Sequence, residues 1–414
     1  MSTSTVILGT GMTRFGKFPD ASLRSLATEA VTAALADAGV SAEDVGFVFC
    51  GNAAAGVLHG QEMIRGQSSL AGTALQGKPI VNVENACASS SSAFAMAVMA
   101  VQSGATDVAV ALGVEKLTHQ DKARSVTAIA TAVDLEDDPA ARRYLSRALF
   151  GWDIETAAPS EGELGQGSKF MDVYAVMTKN YFAASGATLR DLAEVAAKNN
   201  GNGALNPNAQ FRKAVTVDEV LASREVSPPL RLLMCSSIGD GAAAVVVTSA
   251  DYANKRGASG VTVEAVALLS GQPQVADGPS ATTRAARQAY EQAGLGPEDL
   301  DVVELHDAAA TGELISYEDL ALCPRGDGPK LLASGDTMIG GRLPVNPSGG
   351  LLARGHPIGA TGCAQLVELA DQLRGRCGPR QVDGASVALA QNAGGYVGRD
   401  AAAAVVTILS SGRK

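Results

Sequence analysis

The chain has 414 residues, 46% of them hydrophobic and only 18% charged, so it exceeds one ordinary hydrophobic core and is far too apolar for a disordered chain. Its net charge of −10, with no basic block beyond the terminal Gly-Arg-Lys, excludes the electrostatic footprint of a nucleic-acid binder. No apolar run reaches the roughly 18 to 20 residues that cross a bilayer, and no signal-peptide pattern opens the chain, which therefore reads as a cytoplasmic protein without a membrane partner.

The first amphipathic pattern predicts a helix over about 23–37 that ends at Ala38-Gly39, followed by a strand at Phe47-Val48-Phe49. A short strand at Ile80-Val81-Asn82-Val83 leads through Glu84-Asn85-Ala86 to Cys87, which stands in the first turn of a predicted helix over 87–103, and a strand follows at 107–112. Residues 117–230 are richer in charge and proline, and read as a helical insertion that caps the site of the first half, 1–255. Within it Tyr144, Phe150, Trp152 and Met171 are candidates to line a tunnel, with core packing as the favoured use.

The second half, 256–414, repeats the first. A helix over 281–292 ends at Ala293-Gly294, and a strand follows at Val302-Val303-Glu304, each at an offset of 255 from its counterpart. A second echo relates the helix 87–103 and its strand to a helix at 357–374 and a strand at 386–391. Alternating helices and near-continuous apolar strands imply mostly parallel sheets covered on both faces.

Six scattered cysteines without CxxC pairs fit reduced thiols rather than a disulfide framework or zinc site. Cys87 is singled out because free N–H groups and the helix dipole at a helix start stabilise a thiolate, lowering its pKa below the ordinary value of about 8.5. A small buried residue is the competing reading. Of four histidines, His306 lies just past a strand, where open sheets border their ligand crevices, and His356 precedes Pro357 in a glycine-rich loop. A nucleophile, a base and an oxyanion donor are the minimum for thioester exchange, and Cys87 with these two histidines supplies it. His59 and His119 have no such context. Metal-ligand spacing and a P-loop are both missing, and Gly9-Thr10-Gly11 lacks the third glycine of a dinucleotide fingerprint.

Asn85-Ala86-Cys87-Ala88-Ser89-Ser90, Gly113-Val114-Glu115, Asn206-Pro207, Gly239 through Ala243, His306-Asp307 and Asn346 through Gly362 together resemble the thiolase superfamily, and sterol-carrier-type thiolases in particular. The resemblance covers essentially the whole chain. It implies an α/β, five-layered αβαβα fold of two similar βαβαβαββ halves and a homodimer or homotetramer. It also implies acyl-CoA substrates, with coenzyme A entering only as part of the substrate and no other cofactor. By the same resemblance Cys87 is acylated, His356 activates it, His306 holds the thioester oxygen beside Asp307, and the N–H groups of Cys87 and Gly394 form an oxyanion hole. Ser236 matches the serine that touches the pantetheine arm.

Two departures stand out. Asn392 occupies the place of the second catalytic cysteine of ordinary thiolases, and Ala308 that of its sterol-carrier-type substitute. An amide cannot act as a base, so proton abstraction by cysteine is in doubt. The leading expectation is an acyltransferase that forms acyl-Cys87 and makes or breaks a carbon–carbon bond. One alternative is a thiolase-like retro-aldol lyase that relies on a tyrosine, for which Tyr396 is the candidate, and on a small OB-fold partner. Another is a non-catalytic acyl-CoA-binding or lipid-binding subunit.

Overall fold

The computed structural model describes residues 4–136, 169–272 and 278–412. Tyr144, Phe150 and Trp152 lie outside the described residues. Eleven strands are present: β1 (Thr5–Met12), β2 (Phe47–Gly51), β3 (Ile80–Val83), β4 (Val108–Lys116), β5 (Glu225–Ser227), β6 (Leu230–Arg231), β7 (Asp240–Ser249), β8 (Val261–Ser270), β9 (Val302–Glu304), β10 (Val387–Val397) and β11 (Asp400–Ser410). Nine form one sheet in the order β3-β2-β4-β7-β1-β8-β11-β10-β9, while β5 and β6 make a separate two-stranded ribbon.

The echo seen in the sequence has a structural counterpart. Helices Leu23–Ala38 and Ala281–Ala293 both end on a left-handed glycine, Gly39 at φ 61° and Gly294 at φ 63°. Both lead through a 3-10 turn into β2 and β9 respectively. The two central helices correspond as well. Ser89–Gln102 and Thr361–Leu373 each follow a 3-10 turn, Ala86–Ala88 and Ile358–Ala360. Three apolar clusters separate the layers: one under Leu23–Ala38, one around the two central helices, and one under Ala281–Ala293. The sheet's two wings, β3-β2-β4-β7-β1 and β8-β11-β10-β9, are joined only through the Val6–Thr262 and Ile7–Val261 pairs of β1 and β8, so that counted across the order is helix, sheet, helix, sheet, helix.

Two expectations need correction. The sheet is not mostly parallel: β2 is parallel to β3 and β4, and β9 to β10, but every other pairing is antiparallel. Apolar runs report burial on both faces and carry no information on strand direction, so β7, fully buried throughout, reads like a parallel strand although it is not one. Strands β4 and β10 also run further than expected. Beyond the expected ends at 112 and 391, Gly113 and Gly394 stay in the ladder, opposite Ala243 and Ala403.

Glycines let the layers approach closely. A Cβ on Gly362 would stand 2.5 Å from the Ser91 backbone nitrogen, across the contact between the two central helices. Gly201, inside the helix Leu189–Ala204, faces open space. Gly362→Ala is therefore expected to cost about 1–3 kcal/mol through overpacking, whereas Gly201→Ala raises stability by up to about 1 kcal/mol through helix propensity. Denaturant midpoints of the two variants should move in opposite directions, and a common direction would contradict this packing.

Candidate active site

Cys87 is presented by a pinned turn. Ala86 takes φ 48°, a strained value for a residue with a side chain. The Ala86 N–H donates to Glu84 Oε1 at 2.7 Å, the Asn85 N–H to Ser89 Oγ at 3.0 Å, and Asn85 Nδ2 to Ser92 Oγ at 2.8 Å. Strand β10 presses on the same turn. A Cβ on Gly394 would fall 2.0 Å from Asn85 O and 2.6 Å from the Ala88 nitrogen, so only glycine fits beside the nucleophile.

The three expected catalytic groups meet. His356 Nε2 lies 3.3 Å from Cys87 Sγ, and the rings of His306 and His356 stand edge to face with centroids 5.2 Å apart. The sulfur and a nitrogen of each ring all lie within 4.8 Å of one another. His356 Nδ1 is 2.7 Å from Thr361 Oγ1, and that hydroxyl donates its single proton to Pro357 O. Thr361 therefore accepts from Nδ1–H, which leaves Nε2 as the bare acceptor for the Cys87 S–H. His306 Nε2 is buried and has no hydrogen-bond partner. Among the described residues this trio is also the one Cys/His/Asp/Glu group close enough to hold a metal ion.

Burial sets the electrostatics. The Cys87 thiol is 3% exposed among Ala54, Leu58, Leu117 and Ile358, and burial, with the nearby Glu115 and Glu84, pushes its pKa up to about 12. Burial also lowers His306 to about 4, and holds His356 well below the ordinary imidazole range with help from His306 and Arg354. The expected lowering of the Cys87 pKa by a helix start is thus overturned. The residue sits in a one-turn 3-10 segment, and loss of solvation outweighs the few N–H groups there. At rest the pair is a thiol and a neutral imidazole.

A buried polar frame holds the two histidine-bearing loops. Glu304 receives Arg354 Nη1 at 3.0 Å and both the N–H and hydroxyl of Ser348. Glu313 pairs with Lys198 at 2.5 Å and accepts from Asn346 Nδ2, whose Oδ1 receives the Leu305 N–H. Asp307 accepts from Asn199 Nδ2 at 2.8 Å and from the Leu351 N–H at 2.7 Å, so it braces the loop ahead of His356 rather than facing the thiol. Burial and the Glu313 charge hold its pKa well above the usual carboxylate range. On the other side of the thiol, Glu115 gathers the N–H groups of Ala53, Ala54 and Gly359, and burial raises it to about 7. Sequence reasoning gave no role to Glu115, Thr361 or Gln391, which accepts the His306 N–H at 2.9 Å. The available signal was a carboxylate at the end of an otherwise apolar strand.

The remaining candidates separate. Asn392 is spent: its Oδ1 accepts from Ser91 Oγ at 3.1 Å and its Nδ2 donates to Gln365 Oε1 at 3.2 Å, between the central helices. Ala308 and Ser236 line a cavity of about 150 Å³ that contains Cys87 and His356, and the Ser236 N–H donates to Ala308 O. The cavity is walled by Leu117, Val126, Ile129, Val226 and Leu232, and Met171, expected in the core, also lines it. Parts of the segment after Leu117 thus cover the nucleophile. Tyr396 stands instead in a second cavity of about 260 Å³ with His306. Its hydroxyl is 3.3 Å from Met177 Sδ, its ring meets Tyr174 edge-on, and burial pushes its pKa up to about 12. His59 and His119 pair with each other on the surface, away from this cluster.

Because the thiol stays protonated below about 12 and His356 stays neutral, the rate of Cys87 alkylation by iodoacetamide is expected to keep rising with pH between 7 and 10, with no plateau. A plateau setting in below pH 8 would show a preformed thiolate. Thr361→Val, which frees the His356 tautomer, should slow acylation by about 10- to 100-fold with the fold intact. Thr361→Ser should restore it.

Residues 5–251 match the family described as Thiolase, N-terminal domain, and residues 263–411 match Thiolase C-terminal domain-like. The chain is 41% identical to an acetyl-CoA acetyltransferase of Methanothermobacter thermautotrophicus over 95% of its length and 96% of the relative. It is 36% identical to the benzoylsuccinyl-CoA thiolase subunit BbsB of Thauera aromatica, covering 91% of each. Human sterol carrier protein 2 is 36% identical, with 94% of this chain and 69% of that protein aligned. The Ltp2-ChsH2(DUF35) aldolase shares the fold at a TM-score of 0.77 and 24% identity, covering 100% of this chain and 99% of that one. The acetyl-CoA acetyltransferase structure from Syntrophomonas wolfei does so at 0.70 and 16%, covering 100% of each. With both halves matched, the chain belongs to the thiolase family and is an acyltransferase.

Proposed function

We propose that this enzyme transfers an acyl group from coenzyme A through an acyl-Cys87 intermediate and makes or breaks a carbon–carbon bond. The observation that carries the reading is the contact between Cys87 Sγ and the bare His356 Nε2, with the unpartnered His306 Nε2 beside them. In the first step the Cys87 proton moves to His356 as sulfur attacks the thioester carbonyl, and His306 Nε2–H holds the oxygen as it becomes negative. The coenzyme A thiolate leaves and takes the proton back from His356. In the second step a carbon nucleophile attacks acyl-Cys87, with the N–H groups of Cys87 and Gly394 as oxyanion donors, the C–S bond breaks, and the departing Cys87 thiolate takes up a proton from solvent through His356. Ser236, on the wall of the Cys87 cavity, contacts the pantetheine arm.

The acceptor must arrive as a carbanion equivalent by some route other than a cysteine base. The Asn392 amide cannot act as a base and Ala308 has no titratable group, so decarboxylation or cleavage of a preformed carbon–carbon bond fits this chain better than direct deprotonation. A retro-aldol lyase remains the second reading, favoured by Tyr396 beside His306 in the second cavity. We also propose that the chain works in the cytoplasm as a homodimer or homotetramer, and that a small OB-fold protein is a candidate partner. No described helix is long and apolar enough to cross a membrane.

Incubation with short and medium acyl-CoAs should add one acyl mass to the intact protein, and Cys87→Ala should abolish both the adduct and turnover. Full activity of Cys87→Ala would establish the lyase reading instead. His306→Ala should slow acylation by about 10²- to 10³-fold through loss of one oxyanion donor, while Cys87 remains open to alkylation.

A further inference from the structure

The three groups that meet at the thiol are also a donor set that zinc prefers. A thiolate and two imidazoles suit Zn²⁺, whereas Mg²⁺ and Ca²⁺ take oxygen ligands, and no carboxylate belongs to the trio. Cys87 Sγ and His356 Nε2 lie 3.3 Å apart, and the sulfur and a nitrogen of each ring all fall within 4.8 Å. Ligands on a tetrahedral zinc stand roughly 3.3 to 3.8 Å from one another at ordinary bond lengths. One pair therefore has the required spacing already, and the third donor joins it by a side-chain shift of at most about 1 Å. Spacing along the chain could not reveal such a site, because Cys87 and His356 are 269 positions apart.

Both nitrogens are prepared for a cation. Thr361 Oγ1 lies 2.7 Å from His356 Nδ1 and gives its own proton to Pro357 O, so Nδ1 carries the hydrogen and Nε2 presents a lone pair. A metal-bound histidine is held in the same way, by an oxygen partner on its other ring nitrogen. His306 is only 7% exposed, and its Nε2 has no hydrogen-bond partner. A buried polar atom left unpaired is costly, and in the tautomer with hydrogen on Nδ1 a bond to a cation satisfies it.

The surroundings supply charge and space. The Glu115 and Glu84 carboxylates that act on the Cys87 thiol favour a cation there. Arg354, which acts on His356, is already paired with Glu304 at 3.0 Å. Cys87 and His356 line the cavity of about 150 Å³ and His306 the one of about 260 Å³, so there is room beside the trio for a fourth ligand.

From this arrangement we propose that Cys87, His306 and His356 form a site for a thiophilic divalent cation, Zn²⁺ by its ligand chemistry, with water as the fourth ligand. On binding, the Cys87 S–H proton leaves to solvent, one Zn–S and two Zn–N bonds form, and nothing is oxidised or reduced. The cation takes the lone pairs with which acyl transfer begins, so under the acyl-Cys87 reading its occupancy switches the enzyme off.

Co²⁺ takes the same geometry and reports it by absorption. Titration of the whole chain should saturate at a single ion, with a near-ultraviolet sulfur-to-cobalt band and the visible bands of a tetrahedral site, and Zn²⁺ should bleach both. Cys87→Ala should remove the near-ultraviolet band. Thr361→Val, which keeps all three ligands, should weaken binding by about 10- to 100-fold, and His306→Ala by more than that. Zn²⁺ at ten times its dissociation constant should slow iodoacetamide alkylation of Cys87 about tenfold, and EDTA should restore the rate. A cobalt spectrum without the sulfur band, a band that survives in Cys87→Ala, or alkylation indifferent to Zn²⁺ would each overturn the proposal. None of these readouts involves acyl transfer, so they are separate from the fate of the acyl-enzyme reading.

Discussion

Everything in this site depends on one buried hydrogen bond between two neutral groups, the Cys87 thiol and the His356 imidazole. Burial raises one pKa and lowers the other, so the thiolate–imidazolium ion pair is disfavoured at rest. In the proposed acyl transfer the proton crosses as the thioester is attacked, when negative charge leaves sulfur for an oxygen beside His306. A neutral resting pair shields the nucleophile from adventitious electrophiles. Thr361 is essential to this arrangement, because its hydroxyl commits its proton to Pro357 O and so fixes which imidazole nitrogen is bare.

Holding a 3.3 Å contact between residues 269 positions apart requires rigid supports on both sides. Those supports are buried carboxylates. Glu304, Asp307 and Glu313 tie the end of β9 to the loop before His356, with Arg354 and Lys198 as counter-charges, and Glu115 ties the end of β4 to Gly359. Such groups are costly to bury and contribute little net stability against apolar replacements, but removing one partner strands the other. Their value here is geometric. Backbone N–H groups from three separate loops converge on fixed oxygen atoms, and the imidazoles inherit that order.

The fold was legible where local rules decide. Helix ends at Gly39 and Gly294 follow from the left-handed conformation, and the repeat at constant offset exposed the internal symmetry before any coordinates. The meeting of Cys87, His306 and His356 was legible too, since each stands at or beside the end of an element. Strand direction was not legible, because burial on both faces erases the alternation that distinguishes sheet types. The Cys87 pKa was misjudged for a related reason. A helix start is a local feature, but solvent exclusion comes from Leu58, Leu117 and Ile358, which lie far apart in the chain. Glu115 and Gln391 act through contacts over long sequence separations, which spacing cannot reveal, whereas Thr361 meets His356 from five residues away.

Asn392 stands where the family resemblance places a second catalytic cysteine, and its present contacts are structural. A second catalytic cysteine at this position would have to offer a sulfur toward substrate, yet the asparagine amide bridges Ser91 on one central helix and Gln365 on the other. The position now serves the contact between the halves of the repeat. Gln365 also holds Gln391 O, and Gln391 holds the His306 N–H, so the amide belongs to a chain of hydrogen bonds that ends at the oxyanion donor. An amide at this position offers no base and ties the central helices to the His306 backbone. That arrangement suits a reaction whose carbanion is generated by bond cleavage, where the oxyanion must be held still and no proton need be taken from carbon.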